Sequence, residues 1–197
     1  MGRARQRVTP WVLGVCLAFC LASQAQAQSD VVNREYPLKA LFLYNFGSYI
    51  DWPAGAVSNS DPFVIGILGP SAVDAPLREI AATQKIHGRP IVVKDFSSLA
   101  EVHGCQILFI PAAVGPAMER QAIDRLRGKA VLVVGESSGF AARGGAINFF
   151  IEANKIRFEV NVAAAAAQQL KISAKLLALA KIVETGDGER RTSGRLP

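Results

Sequence analysis

Short runs of continuous apolar residues alternate with stretches of helical spacing over most of this chain. The first helical stretch runs from Glu35 to Ile50. Leu38, Leu41, Phe42, Asn45, Phe46 and Tyr49 recur at i, i+3 and i+4 intervals and predict one buried face, yet Leu43, Tyr44 and Ile50 lie off it. A helix apolar nearly all round has to be covered on several sides, by its own domain or by a partner. Asp51-Trp52-Pro53 ends it, because proline disfavours the helical conformation of the residue before it.

Four strand-like runs follow: Phe63–Leu68, Pro90–Phe96, Gln106–Ile110 and Ala130–Val134. Helices are expected between them, around Ala75–Gln84, Ser98–Val102 and Gly115–Leu126, and Gly135-Glu136-Ser137 leads into a short helical turn. Strands that are apolar on both sides and alternate with helices indicate an α/β fold, with a mostly parallel sheet and helices on both faces. Right-handed crossovers make this a Rossmann-like three-layer arrangement.

The rhythm breaks at Ala146. The runs Ala146–Ile151 and Ile156–Val160 flank Glu152-Ala153-Asn154-Lys155, a turn-sized connection that predicts an antiparallel hairpin at the end of the sheet. The Ala-rich segment Val162–Glu184 carries Leu170, Ile172, Leu176, Leu177, Leu179, Ala180 and Val183, and reads as a long C-terminal helix, with Ser173 as the place for a kink. There is no internal repeat and no second domain. The expectation is a single domain over 35–184, followed by a disordered tail over 185–197.

The segment before this domain reads as an address. Arg3, Arg5 and Arg7 precede 12 mostly apolar residues, Trp11–Ala22, and then Ala25-Gln26-Ala27, the pattern of a cleavable secretory signal over residues 1–27. The apolar run is too short for a bilayer, which needs about 20 residues. A lipid anchor at Cys20 would want a small residue before it, where Phe19 stands. Cleavage after Ala27 takes three of the 22 basic residues, leaving 19 against 16 acidic ones and a net charge of +3 instead of +6. The basic balance is thus partly a property of the leader. With no Lys/Arg-rich run or aromatic-interleaved basic stripe, nucleic-acid binding is disfavoured. Cys16 and Cys20 leave with the leader, so Cys105 has no intramolecular disulfide partner. It is either a buried structural cysteine, as its place at the head of an apolar run suggests, or a bridge between two chains in a homodimer.

Candidate chemistry is thin. Gly135-Glu136-Ser137-Ser138-Gly139 matches the G-x-S-x-G elbow of serine hydrolases. The order of that fold needs an acid and a histidine after the serine, whereas His87 and His103 both precede Ser137. A tight glycine turn at a strand's carboxyl end is the simpler reading, and such ends are where open α/β sheets hold small ligands. Gly66-Ile67-Leu68-Gly69-Pro70-Ser71 lacks dinucleotide spacing, and Pro70 removes an amide that a phosphate would use. His103-Gly104-Cys105 supplies two ligand types where a structural zinc site wants four, so neither a metal nor another cofactor is expected. Along Ile156–Asn161, Arg157 and Glu159 alternate with apolar residues, giving either a solvated outer face or a polar recognition surface.

Several separated blocks together resemble the YfiR family, over about Glu35 to Glu184. They are Glu35–Phe46 with Trp52-Pro53, Ile86-His87-Gly88-Arg89-Pro90-Ile91, Cys105–Ile110, Val134–Phe140, Gly144–Phe149, Arg157–Asn161 and Leu170–Leu177. The resemblance implies a periplasmic regulator without enzymatic activity. It would repress an inner-membrane diguanylate cyclase by binding the cyclase's periplasmic sensor region, and would itself be titrated by an OmpA-like outer-membrane lipoprotein. It also implies internal disulfides, for which Cys105 has no partner here. A docking surface needs an apolar centre with a polar rim. Glu136, Ser137, Phe140 and Arg143 in the 135–143 loop, Arg157 and Glu159 on the last strand, and exposed parts of the 38–50 helix are the candidates. Two rivals remain: a periplasmic binding protein for a small ligand, and a serine hydrolase using Ser137.

Overall fold

A computed structural model describes residues 34–55 and 61–186. The expected signal peptide and the tail from 187 onward lie outside the described residues. Helix α1 (34–49) leads into β1 (Ile50–Asp51), and β2 (Phe63–Leu68) is followed by α2 (Asp74–Thr83), β3 (Lys85–Ile86) and β4 (Arg89–Phe96). Next come β5 (Ile107–Ile110), α3 (Pro116–Leu126), β6 (Leu132–Gly135) and the hairpin of β7 (Ile147–Glu152) and β8 (Lys155–Val160). The chain closes with α4 (Val162–Ala167), β9 (Lys171–Ile172), α5 (Ala174–Leu177) and β10 (Lys181–Ile182).

Eight of these strands form one mixed sheet in the order β10-β8-β7-β6-β5-β2-β4-β3. β2 pairs in parallel with β4 and β5, β5 with β6, β6 with β7 and β10 with β8, whereas β3–β4 and β7–β8 are antiparallel. β1 and β9 make a separate antiparallel pair. Between β2 and β5 the direction of winding reverses, which places the crevice of such a sheet at the carboxyl ends of β2 and β5, one strand from β6. The hairpin turn falls where the sequence places it, with Ala153 and Asn154 both at positive φ, the geometry of a two-residue turn that matches strand twist.

The runs of β2, β5 and β6 are continuously apolar because both sides of the sheet are covered there. Phe63, Ile65 and Ile67 of β2 join one core with Ile107, Phe109, Leu132, Val134, Ile147 and Phe149. Val64 and Leu68 turn the other way and join Leu108, Ile110, Val133, Phe96 and Cys105 in a second core. Helices α1 and α2 pack on the first, through Leu43, Phe46 and Leu77, and α3 on the second, through Ala122, Ile123 and Leu126. The strict alternation of successive side chains between two clusters is what a pleated strand with two buried faces must show.

Two expectations are corrected. The buried stripe of α1 is Ala40, Leu43 and Phe46, continuing to Ile50, while Leu38, Leu41 and Tyr49 of the expected face are 41%, 45% and 43% exposed. An all-round apolar helix carries no strong moment to orient it, so specific packing decides. Phe46 lies 5.7 Å from Phe149 and 5.2 Å from Phe158, ring centre to ring centre. The single long C-terminal helix is instead broken into α4, β9, α5 and β10. Gln169 takes a left-handed φ of +61°, and the Leu170 N–H returns to the Ala165 carbonyl at 3.0 Å. Lys171–Ile172 then pairs with Ile50–Asp51, and the Ser173 hydroxyl accepts the Leu176 N–H to start α5. Alanine's helix preference amounts to a few tenths of a kcal/mol per residue, and tertiary pairing overrides it.

Candidate functional site

At the carboxyl end of β6 the chain makes a compact loop over 136–145, built round Phe140. This ring folds back over Gly135 and Gly145 and is fully buried. A Cβ on Gly135 would stand 2.5 Å from the ring, and one on Gly145 would overlap it, so the two glycines exist to admit Phe140. The Phe140 N–H donates to the Ser137 carbonyl at 3.1 Å, and the Gly145 N–H to the Phe140 carbonyl at 3.1 Å.

Two carboxylates pin the loop from opposite sides. Glu136 Oε2 meets Lys39 Nζ of α1 at 2.6 Å, and its Oε1 accepts the Ala112 N–H at 3.1 Å. Glu119, on the buried face of α3 and itself 0% exposed, meets Arg143 Nη2 at 2.7 Å. Arg143 also donates to the Ser138 carbonyl at 2.6 Å and to Ser137 Oγ at 2.8 Å. Arg143 thus closes the turn that Gly139, at φ +72°, begins. Behind the loop, the fully buried Asn161 donates to the Ala141 carbonyl at 2.8 Å.

From Gly135 a register row runs across the sheet through Asn148 and Glu159 to Lys181. Asn148 Nδ2 donates to Glu159 Oε1 at 3.1 Å. One step along, Phe150 pairs with Arg157, and the Lys181 ammonium lies 5.5 Å over the Phe150 ring. Arg157 pairs with Glu152 at 3.0 Å, both largely exposed. This side of the hairpin is therefore a surface with one partly exposed aromatic ring among charges of both signs.

The structure places Glu136, Ser137 and Arg143 in one loop, with Phe140 buried beneath them, and Arg157 and Glu159 on β8, two strands away. Lys39, Glu119 and Asn161, which hold the loop, were not singled out from the sequence. Glu119 had a signal, since it shares helical spacing with Ala122, Ile123 and Leu126 and so had to be buried. Ser137 is followed by successive turns rather than a helix, and its hydroxyl is bound to an arginine, which supplies no base. His87 Nε2 is engaged with the Gly47 carbonyl at 3.0 Å, and His103 sits beside Phe96. Cys105 is buried, and burial pushes its thiol up to about 11. Among the described residues no group of three or more His, Cys, Asp or Glu is placed to hold a metal ion, and no helix is long and apolar enough to cross a membrane.

The loop and the open mixed surface beside it are carried by an α/β domain. A family model described as YfiR/HmsC-like matches residues 36–181, about three quarters of the chain. The chain belongs to that family, a family of periplasmic regulators. Comparison with curated proteins finds no match.

Proposed function

We propose that this protein is a periplasmic regulator without catalytic activity, which represses an inner-membrane diguanylate cyclase by binding the cyclase's periplasmic sensor region and so lowers cyclic-di-GMP. The observation that carries the reading is the family match over 36–181. Residues 1–27 act as the export signal, cleaved after Ala27, and 35–184 as the working domain. An OmpA-like outer-membrane lipoprotein competes for the protein, and the assembled form is a homodimer.

The contact surface is assigned to Ser137 and Arg143 of the loop with Arg157 and Glu159 of β8, around the Phe150 ring. Charges of both signs round an aromatic centre suit recognition of a folded partner, where rim charges set orientation and encounter rate. Glu136 and Phe140 serve that surface from below, through the Lys39 pair and the buried ring.

The test is co-purification of the full chain with the sensor region of the cyclase from the same genome, together with cellular cyclic-di-GMP. Arg157→Glu is expected to weaken binding about tenfold, as loss of a charge contact of about 1.4 kcal/mol would, and to raise cyclic-di-GMP while leaving thermal stability unchanged. Absence of binding by the unaltered chain would sink the proposal.

A further inference from the structure

Most of one edge of β4 carries no neighbouring strand. The strand runs over Arg89–Phe96, and β2 pairs with one side of it from Ile91 onward. On the other side β3 covers only Arg89 and Pro90, and no other described strand pairs there. The Gly69 N–H donates to the Phe96 carbonyl at 2.8 Å, so Phe96, Lys94 and Val92 turn their backbone groups toward β2. The backbone groups of Ile91, Val93 and Asp95 therefore point the other way, off the sheet. Val92, Lys94 and Asp95 are exposed. An edge of this kind is a template for another strand, and folded proteins have to manage it.

One side chain lies across this edge. Arg78 of α2 donates from Nη1 to the Val93 carbonyl at 3.2 Å and from Nη2 to Asp95 Oδ2 at 2.5 Å. Its Nε pairs with Asp74 Oδ1 at 2.7 Å, one turn earlier on the same helix. Asp74, with Asp95, raises the Arg78 pKa against the opposing effect of burial, so the fork stays charged. An isolated surface ion pair contributes little, but a planar guanidinium held at three points has a fixed position. Arg78 thus fills the middle of the edge, at the one carbonyl that an incoming strand centred on Val93 has to reach.

The strand that fits this edge is β4 of a second copy. In antiparallel pairing about a two-fold axis at Val93, Val93 meets Val93 of the second copy and Ile91 meets its Asp95. Outward backbone groups then oppose outward groups at each of these positions. Val92 faces Lys94 of the second copy, and no like charges stand opposite one another. An axis at Lys94 would set two lysines face to face, which disfavours pairing. An axis at Val92 would drive the second copy into Arg89 and Pro90, which β3 already covers. We propose that β4 is a self-pairing edge centred on Val93 and that Arg78 keeps it shut. The homodimer of the regulatory reading uses another surface, and the surface around Phe150 is separate, so each reading stands or falls alone.

Sedimentation velocity of the full chain over a range of concentrations is the test, read as the change from the unaltered protein whatever its own assembly state. Arg78→Ala is expected to add a concentration-dependent doubling of mass. In that background Val92→Lys sets lysine against Lys94 on both sides of the axis and is expected to weaken the doubling about tenfold. Val92→Glu sets a carboxylate against Lys94 instead and is expected to preserve or tighten it. Non-specific clumping after loss of a surface charge would not separate the two. No doubling in Arg78→Ala, or weakening by Val92→Glu as great as by Val92→Lys, overturns the proposal. Should Arg78→Ala not fold, Arg78→Lys, with a point charge in place of the fork, is read in its stead, and absence of doubling there overturns it.

Discussion

Lys39 Nζ and Glu136 Oε2 lie 2.6 Å apart with their side chains only 6% and 11% exposed, joining the first helix to the loop after β6. The Tyr36 ring lies 5.1 Å from the same ammonium. An ion pair so far from water repays its desolvation only while both partners are present. Lys39→Met, which leaves the Glu136 carboxylate buried against methylenes, is expected to lower stability by about 3 kcal/mol in urea unfolding. Lys39→Met with Glu136→Gln is expected to recover part of that loss, since the orphaned charge is gone while the amide still accepts the Ala112 N–H. Additive effects of the two changes would show that the residues are not coupled.

The Phe140 ring occupies the space that side chains at positions 135 and 145 would need. Gly145→Ala is expected to destabilise by about 1–3 kcal/mol, the range for forcing an extra carbon into a packed core. Phe140→Leu in the same chain relieves the overlap and recovers part of the loss, whereas Phe140→Leu alone costs stability by leaving a void. Thermal melts of the three variants read this directly. A Gly145→Ala protein as stable as the parent would mean that the ring is free to move aside.

Much of this architecture was legible in the residue pattern, and the failures have physical causes. Runs such as Phe63–Leu68 and Ile107–Ile110 hold no polar side chain, which only a strand covered on both sides tolerates. Asn154 marks the β7–β8 hairpin. Orientation of α1 was not legible, because Leu38 and Leu43 are equally apolar and only the contacts of Phe46 and Lys39 choose between them. The broken C-terminus was hidden by the alanine run. Its clue was local, since Leu170 and Ile172 alternate with Lys171 and Ser173, and Ser173 is a helix cap. Of the site, Ser137 and Arg143 were legible as parts of a glycine-rich turn. The supports of the loop come from elsewhere in the chain, Lys39 lying 97 positions from its partner Glu136, and no local spacing reveals such pairs.

Cys105 sits in the second core, and burial raises its pKa to about 11, from an ordinary value of 9.0. An acid whose folded-state pKa is raised holds its proton longer when folded than when unfolded. The folded state therefore gains relative stability only up to the unfolded value, and stability falls as pH rises from about 9 through about 11. A thiol reagent such as Ellman's at pH 8 is expected to react slowly with the native protein and rapidly in urea, because the thiolate is the attacking form and the sulfur is shielded. Rapid native reaction at Cys105 would contradict its burial. The same geometry predicts no disulfide-linked dimer through Cys105 under mild oxidation, measured on a non-reducing gel.

Asn161 is fully buried and serves three partners at once. Its Oδ1 accepts the Ala164 N–H at 2.9 Å and caps α4, while its Nδ2 donates to the Ala141 carbonyl and to Thr185 Oγ1, both at 2.8 Å. Loss of a helix cap costs about 1 kcal/mol, and leaving a buried carbonyl unpaired adds about 1–3 kcal/mol. Asn161→Ala is therefore expected to destabilise by about 2–4 kcal/mol. Asn161→Asp keeps the cap but turns a donor into a charge against the Ala141 carbonyl, so it is expected to be worse than a cap count alone allows. Amide hydrogen exchange locates the effect, because protection should fall both in α4 and in the 136–145 loop although 20 positions separate Asn161 from Ala141. Loss of protection confined to α4 would show that the loop is held by Phe140 and Arg143 without help from behind.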